Sequence, residues 1–569
     1  MKTAEQGWNA PEIWELYERG IAHHEQTALY EKTEQAYRFF LGEQWAGIKS
    51  GGEELPQYNF IQSIVEHKVA SVAMNTMSIT YTPLEEMQEK QGKTAELCRT
   101  LTRFAAKQWE RLKMDQKCWE TVKDACIAGE GYLYFYDGQC SAQKIDKANL
   151  YLANEQCDDL QKQEYLIIAE RPTVAEIKKA ARAYGIEEAQ IGRITTDEAP
   201  WQEEKERERA QEKRQQTEEE RGRCTALLML YKDEAGTVCC LRCTKEVIFR
   251  PPVRLCGAGG RGLKRYPIAS YLWMKQRGSA RGIGEVTPLI PNQIEANKML
   301  ARRLMNAKLT AFPRMVYNAD KVTNEEAMEE AGASIKVRDM QASRVGDLIS
   351  YLAAEPMSPD ARELSEELVS RSRDLAGAGD AAMGEINPEK ASGAAIIAVR
   401  DQAALPLNEQ IAAFRQFIED VAAIWFEIWA AYHPMGWQMG NQTLTAQDLM
   451  NMRVGIRIDV APNNPFSKFA QEQALEKLYL SGAITFEEYV YSLDENAAAP
   501  KQKLADILKQ RARKSGPEDK TSGGKEQPPR KEEQKNGTDD LYSAGAFDLD
   551  SGFDDSGRDD EENSPAGRQ

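Results

Sequence analysis

Apolar residues recur at helical spacing through the first stretch of the chain. Ile13, Trp14, Tyr17 and Ile21, then Tyr30, Tyr37 and Phe40, predict a helix over 11–48, with Pro11 in its first turn and Gly42 as a stop. Gly51-Gly52 breaks the pattern, and Asn59 opens a second helix through Ile61, Ile64, Val65 and Val69. Residues 78–83 read as a short strand ended by Pro83. A third helix is expected over 91–128, closed by Gly129-Glu130-Gly131, and the aromatic run Tyr132 to Tyr136 follows as a strand. Tyr165–Glu170 is another strand, and Val174–Tyr184 a helix stopped by Gly185.

Residues 202–223 are almost solid mixed charge and predict a solvated connector. Alternation returns at 225–231, 237–242 and 246–250 as a meander. A helix over 282–312 carries Pro291 near its first turn, shows Ile290, Ile294, Leu300, Leu304 and Ala307 as a stripe, and ends at Pro313. A small αβ piece over 313–350 has candidate strands at 314–317 and 333–337. Ser358-Pro359 caps a further helix to residue 375 through Ala361, Leu364, Leu368 and Leu375. Gly377, Gly379, Gly384 and Asn387-Pro388 then require a loop over 376–393. The longest helix is expected over 394–432, kinked at Pro406, with Ile411, Phe414, Ile418, Val421, Trp425 and Ile428 on one face. Residues 454–460 read as a strand, and two short helices follow, divided at Gly482 and restarted at Thr485. The acidic stretch 513–569 has too few apolar residues to bury and is expected to be disordered.

These periods make the chain α+β and mainly helical. At 569 residues it exceeds what one core usually holds, so several domains are expected. Its net charge of −17 argues against a repressor or nuclease, which bind phosphate through a basic face, but is compatible with a conduit to which DNA must not stick. No apolar run reaches the roughly 20 residues of a membrane span, and Met1–Gln6 leads into amphipathic sequence with no signal-peptide core. An intracellular site of synthesis is the expectation.

Candidate chemistry is sparse. There is no phosphate-cradling Gly-x-x-x-x-Gly-Lys-Ser/Thr run, no His-Glu-x-x-His, and there are only four histidines, so no cofactor and no enzymatic activity are expected. Ten cysteines lie in the first half, and Cys240 and Cys243 have the Cys-x-x-Cys spacing of a zinc knuckle. No second such pair accompanies them, and the segment alternates like a hairpin, which favours structural thiols. Gly257–Gly262 lacks the strand-and-helix setting of a nucleotide loop and reads as a turn. Lys298, Arg302, Arg303 and Lys308 on the 282–312 helix are of a type that can meet phosphates, although most helical Lys and Arg are simply solvated.

Several motifs resemble those of the portal proteins of tailed double-stranded DNA bacteriophages. Tyr37-Arg38-Phe39-Phe40-Leu41-Gly42-Glu43-Gln44-Trp45 is similar to that family's entry motif, and Asn59 with its helix and the 78–83 strand to its continuation. Gly129-Glu130-Gly131-Tyr132 resembles a family turn, and Arg281-Gly282-Ile283-Gly284 through Gln293 and Asn297 the lead into a stem helix. The order of these motifs over about 10–495 carries the resemblance more than any one of them.

The resemblance implies a wing region over 1–281, a stem helix over 282–312, a clip over 313–350, and a second stem helix over 351–375. It further implies a tunnel loop over 376–393, a kinked wing-to-crown helix over 394–432 and a crown-like region over 433–512. It implies a ring, usually a dodecamer, at one capsid vertex of the virion, made for DNA packaging, retention and ejection. Partners would be further copies of the chain, major capsid and scaffold proteins, the terminase large subunit, a neck or tail adaptor and the DNA itself, with no membrane. Gly377, Gly379, Gly384, Asn387 and Lys390 would lie near DNA on the tunnel loop, and Lys298, Arg302, Arg303 and Lys308 would line the channel. The alternatives are a helical scaffold or adaptor without a channel, and a nucleic-acid-processing enzyme.

Overall fold

The computed structural model describes residues 7–48, 55–73, 76–83, 91–197, 222–257, 260, 262–311, 314–324, 334–338, 344, 349–352, 357–379, 405–433, 437–439, 442–444, 454–461, 475–493, 504 and 507–508. Helix accounts for 52% and strand for 19%, which makes the chain α+β with substantial helix. Contacts divide it into two units, 1–469 and 470–569.

The first unit opens with α1 (Ala10–Gln26) and α2 (Leu29–Leu41), where the sequence predicts one helix over 11–48. Asn9 accepts from the Glu12 amide to start α1, and Gly42, at φ +91°, stops α2. The break between them is Ala28, at φ +53°, a left-handed conformation that a non-glycine residue holds only when its surroundings impose it. Next come α3 (Phe60–Ala73), β1 (Thr76–Pro83), α4 (Gln91–Arg111) and α5 (Met114–Ala128). The helix expected over 91–128 is likewise two, divided at Lys113, at φ +52°.

A sheet region follows: β2 (Glu130–Phe135), β3 (Ala142–Ile145), β4 (Leu150–Leu152), β5 (Tyr165–Glu170), α6 (Val174–Ala183), α7 (Glu188–Ile191), β6 (Ala226–Lys232), β7 (Val238–Cys243), β8 (Ile248–Arg254) and β9 (Ile268–Leu272). β4 to β8 form an antiparallel five-stranded meander, and β2 pairs with β3 on one side and β9 on the other. Side chains alternate across the meander as a two-residue period demands. Leu166, Ile168, Leu228, Leu230, Val238 and Cys240 enter the main core, while Ile167, Leu227, Met229, Leu241 and Cys243 pack under α1 against Ile13 and Trp14. Most of the charged stretch 202–223 lies outside the described residues.

β10 (Met274–Lys275) pairs with β11 (Gly282–Ile283), so the helix expected from 282 begins four residues later, as α8 (Val286–Ala311). Pro291 is then interior to α8 and not in its first turn. β12 (Arg314–Tyr317) pairs with β13 (Ile349–Leu352), while the described part of the other expected strand, 334–337, is held to Val322, Thr323 and Asn324 by the Val322–Val337 bridge and by hydrogen bonds. α9 (Pro359–Leu375) starts on the Ser358 cap as its sequence predicts.

At Pro406, where the sequence predicts a kink in a helix over 394–432, Leu405–Leu407 form a 3-10 turn, and the helix that follows, α10, spans Asn408–Tyr432. Proline lacks the amide a helix interior needs, and here it stands ahead of the helix; residues 394–404 lie outside the described residues. α10 places Phe414, Phe417, Ile418, Val421, Trp425 and Trp429 in the main core. β14 (Trp437–Met439) pairs with β15 (Gln442–Leu444). β16 (Val454–Ala461) closes the unit by pairing along its length with β1, Ile79 opposite Ile458.

In the second unit, residues 475–480 are helical, Gly482 at φ +72° ends that turn, and α11 (Phe486–Ser492) restarts on a Thr485–Glu488 capping box. The stretch 513–569 lies outside the described residues.

Candidate functional site

Residues scattered through the sequence motifs meet at the foot of α8. Asn297 donates to Gln44 Oε1 and accepts from the Tyr58 amide at 3.0 Å, while Gln293 Nε2 donates to the Tyr58 carbonyl at 2.7 Å. Gln44 Nε2 in turn reaches the Phe39 carbonyl and Asn59 Oδ1, both at 3.0 Å, and Asn59 Nδ2 returns to the Phe40 carbonyl at 3.0 Å. Gln293 and Asn297 are four apart, so one helical face presents both amides to the loop that follows α2. Trp45 pins the same loop through a 2.9 Å bond to the Pro56 carbonyl.

A second cluster lies just before α8. Arg281, nearly buried, donates to Glu155 through Nε and Nη2, both at 2.8 Å, to Glu130 at 3.2 Å and to the Leu150 carbonyl at 2.8 Å. His24 Nε2 lies 3.0 Å from Arg281 Nη2, and its Nδ1 3.3 Å from the Tyr30 hydroxyl. An arginine has no lone pair to offer, so Nε2 is the acceptor and the imidazole is neutral, with its proton on Nδ1. Burial holds the His24 pKa below its ordinary value and the Arg281 charge adds to the lowering, against the Glu155 carboxylate 3.7 Å away, which acts to raise it. Burial acts to raise Glu155, but the hydrogen bonds and charge of Arg281 outweigh it and hold the carboxyl at about 2. Burial opposes the charge of Arg281, yet Glu130 and Glu155 outweigh it and raise its pKa further.

Beside this cluster, Lys68 and Glu285 form a buried pair at 2.7 Å, and Trp273 donates to the same carboxylate at 3.0 Å. Removing one partner of such a pair costs about 3–5 kcal/mol, because the other charge is left buried and alone. The glycines of the motifs are required by close backbone approach. A Cβ on Gly282 would sit 2.2 Å from the Gly129 carbonyl oxygen, and one on Gly131 would sit 2.3 Å from that of Thr121. A cavity of about 590 Å³ opens beside the cluster, lined by Lys32, Thr33, Lys147, Glu155, Arg281 and Thr287 among others. The guanidinium donors that border it are engaged by protein acceptors, so the arrangement chemically suits holding segments together.

From this foot, α8 and α9 run outward as an antiparallel pair. Asn292 bonds Ser372 and Arg303 bonds Ser365, each at 3.0 Å, and Asn306 accepts from the Met357 amide at 3.1 Å. The buried residues of α8 stop at Asn297, and the buried side chain of α9 is Ser372, near its end. Beyond those points the pair projects, with Leu304 45%, Met305 53% and Leu364 56% exposed, and β12–β13 continues it as a hairpin.

The residues expected in a channel fall on this pair, and their surroundings differ. Lys298 pairs with Glu295 at 2.7 Å, Arg302 reaches only as far as the Met299 sulfur at 3.8 Å, Arg303 is the bond to α9 just described, and Lys308 is exposed. Arg303 therefore holds the two helices together. Gly377, at φ +66°, packs on Pro406, and Gly379 lies against Asp374. Gly384, Asn387 and Lys390 lie outside the described residues.

Cys240 and Cys243 belong to opposite faces of β7, in the main core and under α1 respectively. Three residues apart on a strand, two thiols point to opposite sides and cannot share one ion. Burial pushes the Cys243 thiol up to about 12 and raises Cys240 as well, further from the thiolate a metal needs. No group of three or more His, Cys, Asp or Glu suited to a metal occurs among the described residues.

Sequence reasoning singled out Gln44, Asn59, Gln293 and Asn297 by resemblance alone, and it missed His24, Lys68, Glu155 and Glu285. Their signal is weak in sequence: His24 and Lys68 are single polar residues on helices, and Glu155 and Glu285 stand in turns outside any helix. The sequence matches no model of a known protein family, and no curated protein is found that it resembles.

Proposed function

We propose that this protein is the portal subunit of a tailed DNA bacteriophage, a ring-forming conduit that passes DNA while a separate ATPase supplies the motive force. One observation carries the reading: α8 and α9 are anchored at their feet by buried amide and ionic clusters and then project with apolar side chains uncovered. A lone chain gains nothing by exposing leucine and methionine on a rigid projection, whereas copies packed side by side bury them. This reading takes the paired strands β12 and β13 as part of the clip, where a motor and later a tail adaptor would dock. The motifs similar to the portal family support the same reading, since they coincide with the anchoring clusters. In this reading the stretch 376–393, with Asn387 and Lys390, contacts DNA within the channel.

Negative-stain imaging and native mass measurement of the full chain test this directly. A closed ring with a central hole is expected, usually of twelve copies. A stable monomer with hydrolytic activity on nucleic acid would sink it in favour of an enzyme, and an open, low-order assembly would favour an adaptor. Deleting 378–389 should leave rings intact and impair DNA packaging or retention.

A further inference from the structure

The charges on the projecting pair are segregated by helix. α8 carries Lys298, Arg302, Arg303 and Lys308 against the single carboxylate Glu295. α9 carries Asp360, Glu363, Glu366, Glu367 and Asp374 against Arg362, Arg371 and Arg373. The bonds of Arg303 to Ser365 and of Asn292 to Ser372 fix which sides of the helices face each other. Glu363 and Glu367 each stand two residues from Ser365, and Asp374 two from Ser372. That is roughly 200° round the helix, on the side away from α8. On α8, Lys298, Met305 and Leu309 lie roughly opposite Arg303, with Arg302 beside them. One outer face of the pair is therefore basic and apolar, and the other is acidic with Leu364 on its flank.

We infer that the α8 face of one copy docks on the α9 face of the next, Lys298 and Arg302 opposite Glu363 and Glu367, in a head-to-tail contact between identical chains. This deepens the ring reading and rests on its self-assembly. The occupant is a second copy because both complementary faces are present on one chain at matching height. Asn292 bonds Ser372 and Asn306 accepts from the Met357 amide, so in the antiparallel pair Arg302 lies about level with Glu363 and Lys298 with Glu367. Copies related by rotation about an axis along the hairpin keep that level. Arg302 and Glu363 are exposed and neither forms an ion pair among the described residues, while Lys298 and Glu367 hold half-exposed pairs within their own helices, to Glu295 and Arg371, that a neighbouring copy can exchange. Met305, Leu309 and Leu364 supply the apolar part of the contact. The ion pairs then fix register and direction more than strength.

Two full-length variants test this, Lys298→Glu/Arg302→Glu and Glu363→Lys/Glu367→Lys. Each alone presents two faces of like charge, so assembly should fall about tenfold at equal concentration, with circular dichroism and melting of the monomer retained. Mixed, the two are complementary only to each other, and assemblies containing both in equal number should reappear in native mass spectra. Native-like assembly of either variant alone would overturn the inference and leave the ring reading standing, as would assembly that persists while DNA retention is lost, since the cations then face DNA. Open filaments of the native chain that obey the charge rule would uphold the contact and defeat the ring. A native chain monomeric at every concentration would defeat both. If a variant misfolds alone, the chain carrying all four reversals decides: it keeps the pairing and should assemble, and its failure to do so while folded overturns the contact.

Discussion

Asn297 donates its side-chain amide to Gln44 Oε1 across 253 residues of sequence, and in doing so ties the foot of α8 to the loop that follows α2. The same Asn297 accepts from the Tyr58 amide and from Gln293, so one side chain closes the helix foot, the loop and the start of α3 into one unit. A buried amide so engaged has few tolerable replacements, since each partner it abandons stays out of reach of water.

Asn297→Ala should therefore destabilise the first unit by about 2 kcal/mol, the cost of leaving buried polar groups unsatisfied. Denaturant unfolding followed by tryptophan fluorescence measures it. Gln44→Ala should cost a similar amount, and the double substitution should cost clearly less than the two singles added, because both remove the same bond. Strict additivity would show that the two amides do not act together.

The buried cluster around Arg281 should make stability fall in acid in two stages. His24 has its folded pKa below the ordinary 6.5, so below that pH the unfolded chain takes up a proton that the folded chain refuses. The unfolded state binds more protons, and stability drops as pH falls below 6.5. Glu155, near 2 when folded against an ordinary 4.5, contributes stability that is complete above 4.5 and is lost as pH falls towards 2. His24→Gln should flatten the upper stage and leave the lower one, as read from melting temperature against pH. An unchanged upper stage would assign it to another group.

The glycine at the start of β11, before α8, should be far less replaceable than a glycine required only by its backbone conformation. Gly282→Ala drives a methyl to within 2.2 Å of a backbone carbonyl and should cost about 3 kcal/mol or more, or prevent soluble expression. Gly185, at φ +74° with open space around it, provides the comparison. Gly185→Ala should cost about 1 kcal/mol, the conformational penalty alone. Equal costs at the two positions would mean that close approach is not what Gly282 serves.

What the sequence determined by itself is the set of local elements and their stops. Ser358 before Pro359, Thr485 with Glu488, and Gly42 and Gly129 at helix ends act through neighbours a few residues away, and the structure places them as those local rules require. The alternation of β7 also held enough information to separate Cys240 from Cys243. The tertiary structure alone decided the rest. Ala28 and Lys113 break helices in a left-handed conformation that no local preference of alanine or lysine announces, because surrounding packing imposes it. β12 takes β13 as its partner and β1 takes β16, pairings whose register is set by which faces are buried, not by adjacent residues. The anchoring clusters follow the same logic. Gln44, Asn59, Gln293 and Asn297, and His24, Glu155 and Arg281, are ordinary polar residues in the linear chain. Only burial beside one another removes the water that would otherwise satisfy them, and that makes all of them but Asn59 dependent on partners more than a hundred residues away.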